Sequence, residues 1–287
     1  MRRTSLNKAR RSGAGVAWWR KTIPDPLGSP RAIATGSPPR SSVISHNLGI
    51  GALRDRIPLP IARRVINNTT AADRLRDVAQ TIEKAALRAN RHAAGVTLVA
   101  VSKTHGANEI RPLLDAGQRV FGENRVQEAA AKWPDLRARY DGIILHLVGQ
   151  LQSNKAAEAV ALFDAIHSVD RPSLVAALGK AIAQSGKRPD CFIQVDLADE
   201  PQKGGCAVAD LPALLATAGA AGLQVKGLMC VPPAGLEPAP WFALLAKLAA
   251  DHGLAGLSMG MSGDYQTAVT LGATHVRVGT ALFGLRA

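Results

Sequence analysis

The sequence predicts an α/β fold, a single (β/α)8 barrel over residues 66–287. Three observations carry this. From Ala71 onward, strand-like apolar runs alternate regularly with helix-like stretches. The first run, Val96 to Val101, is unbroken, as in strands buried on both faces of a parallel sheet. Eight such runs fit within the 222 residues after residue 65, compact but enough for a barrel. An open doubly wound sheet is the competing architecture. No G-x-G-x-x-G follows a strand and opens a helix, which counts against its dinucleotide-binding form.

Residues 1–65 stand outside this pattern. They are rich in Arg, Ser, Pro and Gly, and Pro24, Pro26, Pro30, Pro38 and Pro39 interrupt any helix. The composition suits either an organellar transit segment or upstream sequence translated from too early a start, and disorder is expected in both cases. The barrel's prelude is a helix in which Leu75, Val78, Ile82 and Ala86 recur at helical spacing, capped by Thr69 or Thr70. Strands are expected at 96–101, 119–121, 143–148, 163–168, 191–196, 223–229, 254–259 and 275–278. Helices are expected at 107–117, 123–138, 152–160, 171–185, 208–221, 239–252 and 264–272. Gly117, Gly186, Gly222 and Gly253 fall where helices need a left-handed terminus.

Charge and composition narrow the function. The net charge of +13 suggests nucleic acid at first sight, but residues 1–65 hold 13 basic and 2 acidic side chains, against 22 and 20 in the remainder. The folded part is nearly neutral, so no nucleic-acid partner is expected. No apolar run nears the ~18 residues of a membrane span, so a soluble protein is expected. Three scattered cysteines, Cys191, Cys206 and Cys230, argue against disulfides and zinc and suit a reducing cytoplasm. A real transit segment would instead direct the chain to mitochondria.

Strand ends carry the chemistry of a barrel. The first strand ends in Ser102-Lys103-Thr104-His105-Gly106. Such a lysine either caps a strand at the surface or, desolvated, has its pKa lowered so that its amine forms a Schiff base with a carbonyl compound. The seventh runs into Ser258-Met259-Gly260-Met261-Ser262-Gly263-Asp264 and the eighth into Arg277-Val278-Gly279-Thr280. Glycines and hydroxyls after the last two strands suit a phosphate. Pyridoxal 5′-phosphate (PLP) fits both ends: an aldehyde for Lys103, a phosphate for Ser262, Gly263, Gly279 and Thr280. Arg277 points into the mouth if Val276 and Val278 pack on the opposite face, and there it disfavours a protonated pyridine. The strand ends hold no His/carboxylate cluster at metal-ligand spacing, so no metal is expected.

Val99-Ala100-Val101-Ser102-Lys103-Thr104, Phe121-Gly122-Glu123-Asn124, His146 with Gly149-Gln150-Leu151-Gln152-Ser153-Asn154-Lys155, Gly227-Leu228-Met229, and the two terminal motifs occur together in order. Over residues 68–287 the chain resembles the pyridoxal phosphate homeostasis protein family. Glu200-Pro201-Gln202-Lys203-Gly204-Gly205 is similar to that family's lysine-glycine loop. The resemblance implies a TIM barrel like the N-terminal domain of alanine racemase (fold type III), without the second, β-rich domain. It implies that Lys103 is the Schiff-base lysine, that Arg277 faces the pyridine nitrogen, and that Ser262, Gly279 and Thr280 take the phosphate. Asn124, His146 and Met229 complete the implied cofactor set, and no catalytic residue is implied.

The function so implied is to carry or buffer PLP, maintaining vitamin B6 and amino-acid and keto-acid pools, with PLP-dependent apoenzymes as recipients and a monomer as the working form. A weak PLP-dependent racemase is the alternative. Fold-type-III racemases set a second acid/base group across from the lysine, and this chain offers only Tyr140 and Tyr265. A Schiff-base aldolase is a third reading. Lys132, Lys155 and Lys203 suit a secondary cofactor site, a release path or solvated helix faces. His146 either stacks on the ring or is a satisfied core histidine. Leu145 stands where the family often has an aromatic residue.

Overall fold

A computed structural model describes residues 69–284. The expected extension, residues 1–65, lies outside the described residues. Among the described residues there are nine parallel strands: β1 (Thr97–Val101), β2 (Val120–Glu123), β3 (Ile144–Leu147), β4 (Ala165–Val169), β5 (Asp190–Asp196), β6 (Cys206–Ala207), β7 (Gln224–Met229), β8 (Gly256–Met261) and β9 (His275–Val278). Eight of them close a ring in the order β1-β2-β3-β4-β5-β7-β8-β9, with β9 pairing back onto β1 through Leu98 opposite Val276 and Ala100 opposite Val278. The two-residue β6 pairs only with the end of β5, at Val195 and Asp196. Nothing in the apolar pattern announces it, because two residues carry no period.

The helices follow the expected alternation: α1 (Ala71–Arg88), α2 (Ala107–Asp115), α3 (Val126–Arg137), α4 (Ala156–Leu162), α5 (Pro172–Ser185), α6 (Leu211–Ala220), α7 (Ala239–Asp251), α8 (Tyr265–Thr270) and α9 (Thr280–Phe283). Two expected helices open instead with 3₁₀ turns, Ser153–Lys155 before α4 and Val208–Asp210 before α6. Thr70 caps α1: its hydroxyl oxygen accepts the Asp73 N–H at 3.1 Å, and the Asp73 carboxylate accepts the Thr70 N–H at 3.1 Å. Below the cap, Val78, Ile82, Ala85 and Ala86 are buried, on the face the spacing predicts.

The short α9 cannot cover the gap between β9 and β1. That place is taken by α1, which packs on α2, α8 and α9. Arginines hold it at both ends. Arg74 donates from Nε to the Leu282 carbonyl at 2.6 Å, and Arg91 donates to the carbonyls of Val269 and Ala273 at 2.6 and 2.8 Å. The seam between β7 and β8 is closed by Gly227 opposite Gly256, where a Cβ on Gly227 would overlap the Gly256 backbone.

Inside the ring, aliphatic packing gives way to aromatic and imidazole rings. His146, His167, Phe192 and His275 face one another, with His167 against Phe192 at 4.4 Å and against His146 at 4.9 Å between centroids. This layer lies beneath the mouth where the strand ends converge.

Candidate functional site

The strand ends enclose a cavity of about 450 Å³ lined by Val101, Lys103, Asn124, Val148, Val231, Met261, Ser262, Gly263, Arg277, Gly279 and Thr280. Its volume is that of a small-molecule site. A hollow of about 520 Å³ between α1 and α8 lies on the outside of the helical ring, away from the strand ends.

One wall is the segment after β1. The His105 N–H donates to the Ser102 carbonyl at 3.1 Å, and Thr104 takes the left-handed region at φ 66°. Lys103 sits at this turn and is exposed, so the expected desolvation of this lysine by the protein is not what the structure shows. The lysine lies two residues past the end of β1 and lines the cavity from its open side. Behind it, Lys132 on α3 reaches three oxygens: Glu123 Oε1 at 2.8 Å and the carbonyls of Ser102 and His105, each at 2.9 Å. Glu123 is wholly buried and also accepts from Ser102 Oγ at 2.6 Å and Trp133 Nε1 at 3.0 Å.

The opposite wall joins two loops. The Gly279 N–H donates to Ser262 Oγ at 3.2 Å, which brings the loop after β8 against the loop after β9. Exposed N–H groups and hydroxyls there make a rim suited to an anion. Asn124 enters from β2 because Gly149 lets the following loop press on its backbone, where a methyl group would overlap it.

Arg277 forms the floor. Val276 and Val278 are fully buried on the other face, and the guanidinium points into the barrel as expected. It donates from Nη1 to Ser258 Oγ at 2.7 Å and from Nη2 to the Cys230 carbonyl at 2.8 Å. Burial lowers its pKa from the usual arginine range, yet an arginine remains a cation in proteins.

Ser258 Oγ also meets His167 Nδ1 at 2.7 Å, and His167 Nε2 meets His146 Nδ1 at 3.0 Å. A chain of polar contacts thus runs from the floor into the interior. Burial above all pushes His146 down to about 3 and His275 to about 4, and holds His167 well below its ordinary range. The imidazoles also disfavour one another's protonation, and Arg277 disfavours that of His275 and His167. All three imidazoles are neutral at pH 7.

Seven of the nine expected site residues come together around the cavity: Lys103, Asn124, Ser262, Gly263, Arg277, Gly279 and Thr280. His146 and Met229 do not. Each stands on a strand two residues before a lining residue just past that strand's end, Val148 after β3 and Val231 after β7. Period two keeps them on the inward face but one layer lower. His146 is therefore the satisfied core histidine, and Met229 is 1% exposed inside the barrel. Met261, at the end of β8, supplies the methionine on the wall.

The three other lysines also find places. Lys132 is spent inside the protein, which removes it as a secondary cofactor lysine. Lys155 pairs with Glu158 at 2.8 Å on α4. Lys203 bridges Glu200 at 2.6 Å and the Pro232 carbonyl at 3.0 Å, linking the loop after β5 to the loop after β7.

The fold and the strand-end lysine define a class, and residues 78–287 match the family described as Alanine racemase, N-terminal domain. An alanine racemase from Bartonella henselae shares the fold at 18% identity and a TM-score of 0.57, covering 75% of this chain and 58% of that one. The Pyridoxal phosphate homeostasis protein of Pseudomonas aeruginosa is 40% identical over 224 residues, 76% of this chain and 96% of that protein. That of Escherichia coli K12 is 37% identical over 225 residues, 75% and 96% of the two chains. The chain belongs to the pyridoxal phosphate homeostasis protein family. The structure of PipY from Synechococcus elongatus with PLP bound matches at 42% identity and a TM-score of 0.66, covering 75% of this chain and all of that one.

Proposed function

We propose that this chain binds pyridoxal 5′-phosphate in the strand-end cavity and carries it, without turnover of its own. The observation that carries the reading is the pairing of one exposed amine, Lys103, with a hydroxyl and N–H rim at Ser262, Gly263, Gly279 and Thr280 across a single cavity. The donor set fits the group: an amine for the aldehyde, a rim for the phosphate and the guanidinium of Arg277 beneath the space for the ring. When bound, the cofactor would supply an aldehyde with which the Lys103 amine could condense with loss of water, its phosphate held at the Ser262–Gly263 and Gly279–Thr280 rim. PipY's bound PLP and the names of the bacterial relatives support the same reading.

The residues favour a carrier over a racemase. Arg277 already donates to Ser258 and Cys230, and as a cation facing the ring nitrogen it disfavours protonation there. Besides Lys103 and Arg277, the described lining residues are an asparagine, hydroxyls, glycines, valines and a methionine, which are poor proton shuttles near neutral pH. Tyr140 is engaged elsewhere, donating to Asp115 at 2.8 Å. PLP-dependent apoenzymes are the recipients in this reading, with the monomer as carrier. A cytoplasmic setting suits the three free, buried cysteines, whose thiols burial pushes up to about 12, 11 and 12.

The test is an absorbance spectrum of the loaded wild type beside Lys103→Ala. The wild type should show the visible band of a lysine-linked cofactor, shifted by borohydride, and the variant a free-aldehyde spectrum. Identical spectra defeat the site assignment. Racemisation of L-alanine or L-serine faster than about one turnover per second defeats the carrier reading.

A further inference from the structure

We propose that Lys132 is the positioning residue for Lys103, resting on the cofactor reading above. Its ammonium has three N–H donors, and three oxygens receive them: Glu123 Oε1, the Ser102 carbonyl and the His105 carbonyl. The two carbonyls flank Lys103 in the chain. One cation on α3 therefore ties both ends of the four-residue segment that presents the reactive amine.

The segment needs such a tie. Thr104 holds φ 66°, a region that β-branched side chains disfavour. Without an outside restraint the turn relaxes to commoner conformations and the Lys103 amine loses its place at the cavity wall. Glu123 keeps the clamp in position, and is itself fixed by Ser102 Oγ and Trp133 Nε1. A second tie lies on the same segment: the His105 ring stacks on Phe283 at 4.2 Å and 11°, beside the Gly279–Thr280 rim. The clamp thus sets the distance between amine and anion rim, while making no contact with the cavity itself.

The test separates aiming from binding. The double variant Lys132→Met with Glu123→Gln removes the clamp without leaving a buried charge unpaired, and the new amide oxygen still accepts from Ser102 and Trp133. Lys132→Arg is the second variant: it keeps the charge against Glu123, but a planar fork does not reproduce the ammonium geometry. Two quantities are read on each folded variant. One is the rate at which Lys103 condenses with pyridoxal 5′-phosphate. The other is the affinity for 4′-deoxypyridoxine 5′-phosphate, which has the ring and phosphate but no aldehyde.

Condensation should slow by about tenfold or more, the penalty of a misplaced reactant, while analogue affinity stays within about twofold of wild type. Hydrogen exchange at Thr104 and His105 in the cofactor-free variants should rise in parallel. An unchanged condensation rate overturns the proposal. So does an equal loss of rate and analogue affinity, which marks a purely structural role. Wild-type protein that neither condenses nor binds the analogue overturns the cofactor reading itself, and the proposal with it.

Discussion

At the residue scale, two glycines show how little latitude the barrel leaves. A Cβ on Gly227 would overlap the Gly256 backbone across the β7–β8 seam, and strand backbone cannot move without breaking ladder bonds. Gly227→Ala should cost about 1–3 kcal/mol, the range for overpacking. Gly219, exposed on α6 with open space around its Cβ position, is the opposite case. Gly219→Ala should stabilise by about 0.4–1 kcal/mol through the unfolded chain and helix propensity. Urea denaturation of both variants checks the pair, and equal effects would show that contact with Gly256 does not govern position 227.

At the scale of elements, α1 is the informative one. It fills the place in the helical ring that α9 is too short to fill, so its first turn bears on closure of the whole barrel. Thr70→Ala removes the hydroxyl that accepts the Asp73 N–H. A loss of about 1 kcal/mol is expected, with faster hydrogen exchange in the first turn of α1. A global loss well below a few tenths of a kcal/mol would mean that this turn frays without unsettling the barrel. The strand elements carry a similar lesson for the site. Residues just past a strand end reach the cavity, as Val148 and Val231 do, while those two positions earlier fill the layer below.

At the scale of the molecule, that lower layer should make the barrel sensitive to acid. His146, His167 and His275 are held neutral by burial, with His146 near 3 and His275 near 4, against an ordinary value of 6.5. Below pH 6.5 the unfolded chain takes up protons that the folded barrel refuses. The stability these groups contribute is complete above pH 6.5 and is lost as pH falls toward 4 and 3. Each contributes a slope of up to about 1.4 kcal/mol per pH unit in that window. Urea midpoints between pH 7.5 and 4.5 should fall steadily below 6.5. A flat profile would show that the imidazoles take up protons without opening the barrel.

Much of this molecule was legible along the chain because local physics writes it there. The apolar run ending at Lys103, the helical spacing from Leu75 to Ala86 and the Thr70 cap all depend on neighbours within a few residues. Even the inward aim of Arg277 follows from strand alternation between Val276 and Val278. The convergence of Ser262, Gly263, Gly279 and Thr280 on one rim was readable too, since glycines and hydroxyls cluster after the last two strands. Depth was not readable: alternation says which face His146 and Met229 occupy, but not how far below the mouth their strands set them. Nor were the partners of Lys132. Its contacts with Ser102 and His105 join residues some thirty positions apart, and only closure of the ring brings α3 behind the turn after β1. Local pattern thus decided which residues could serve the site, and tertiary packing decided which of them reach it and which hold the others in place.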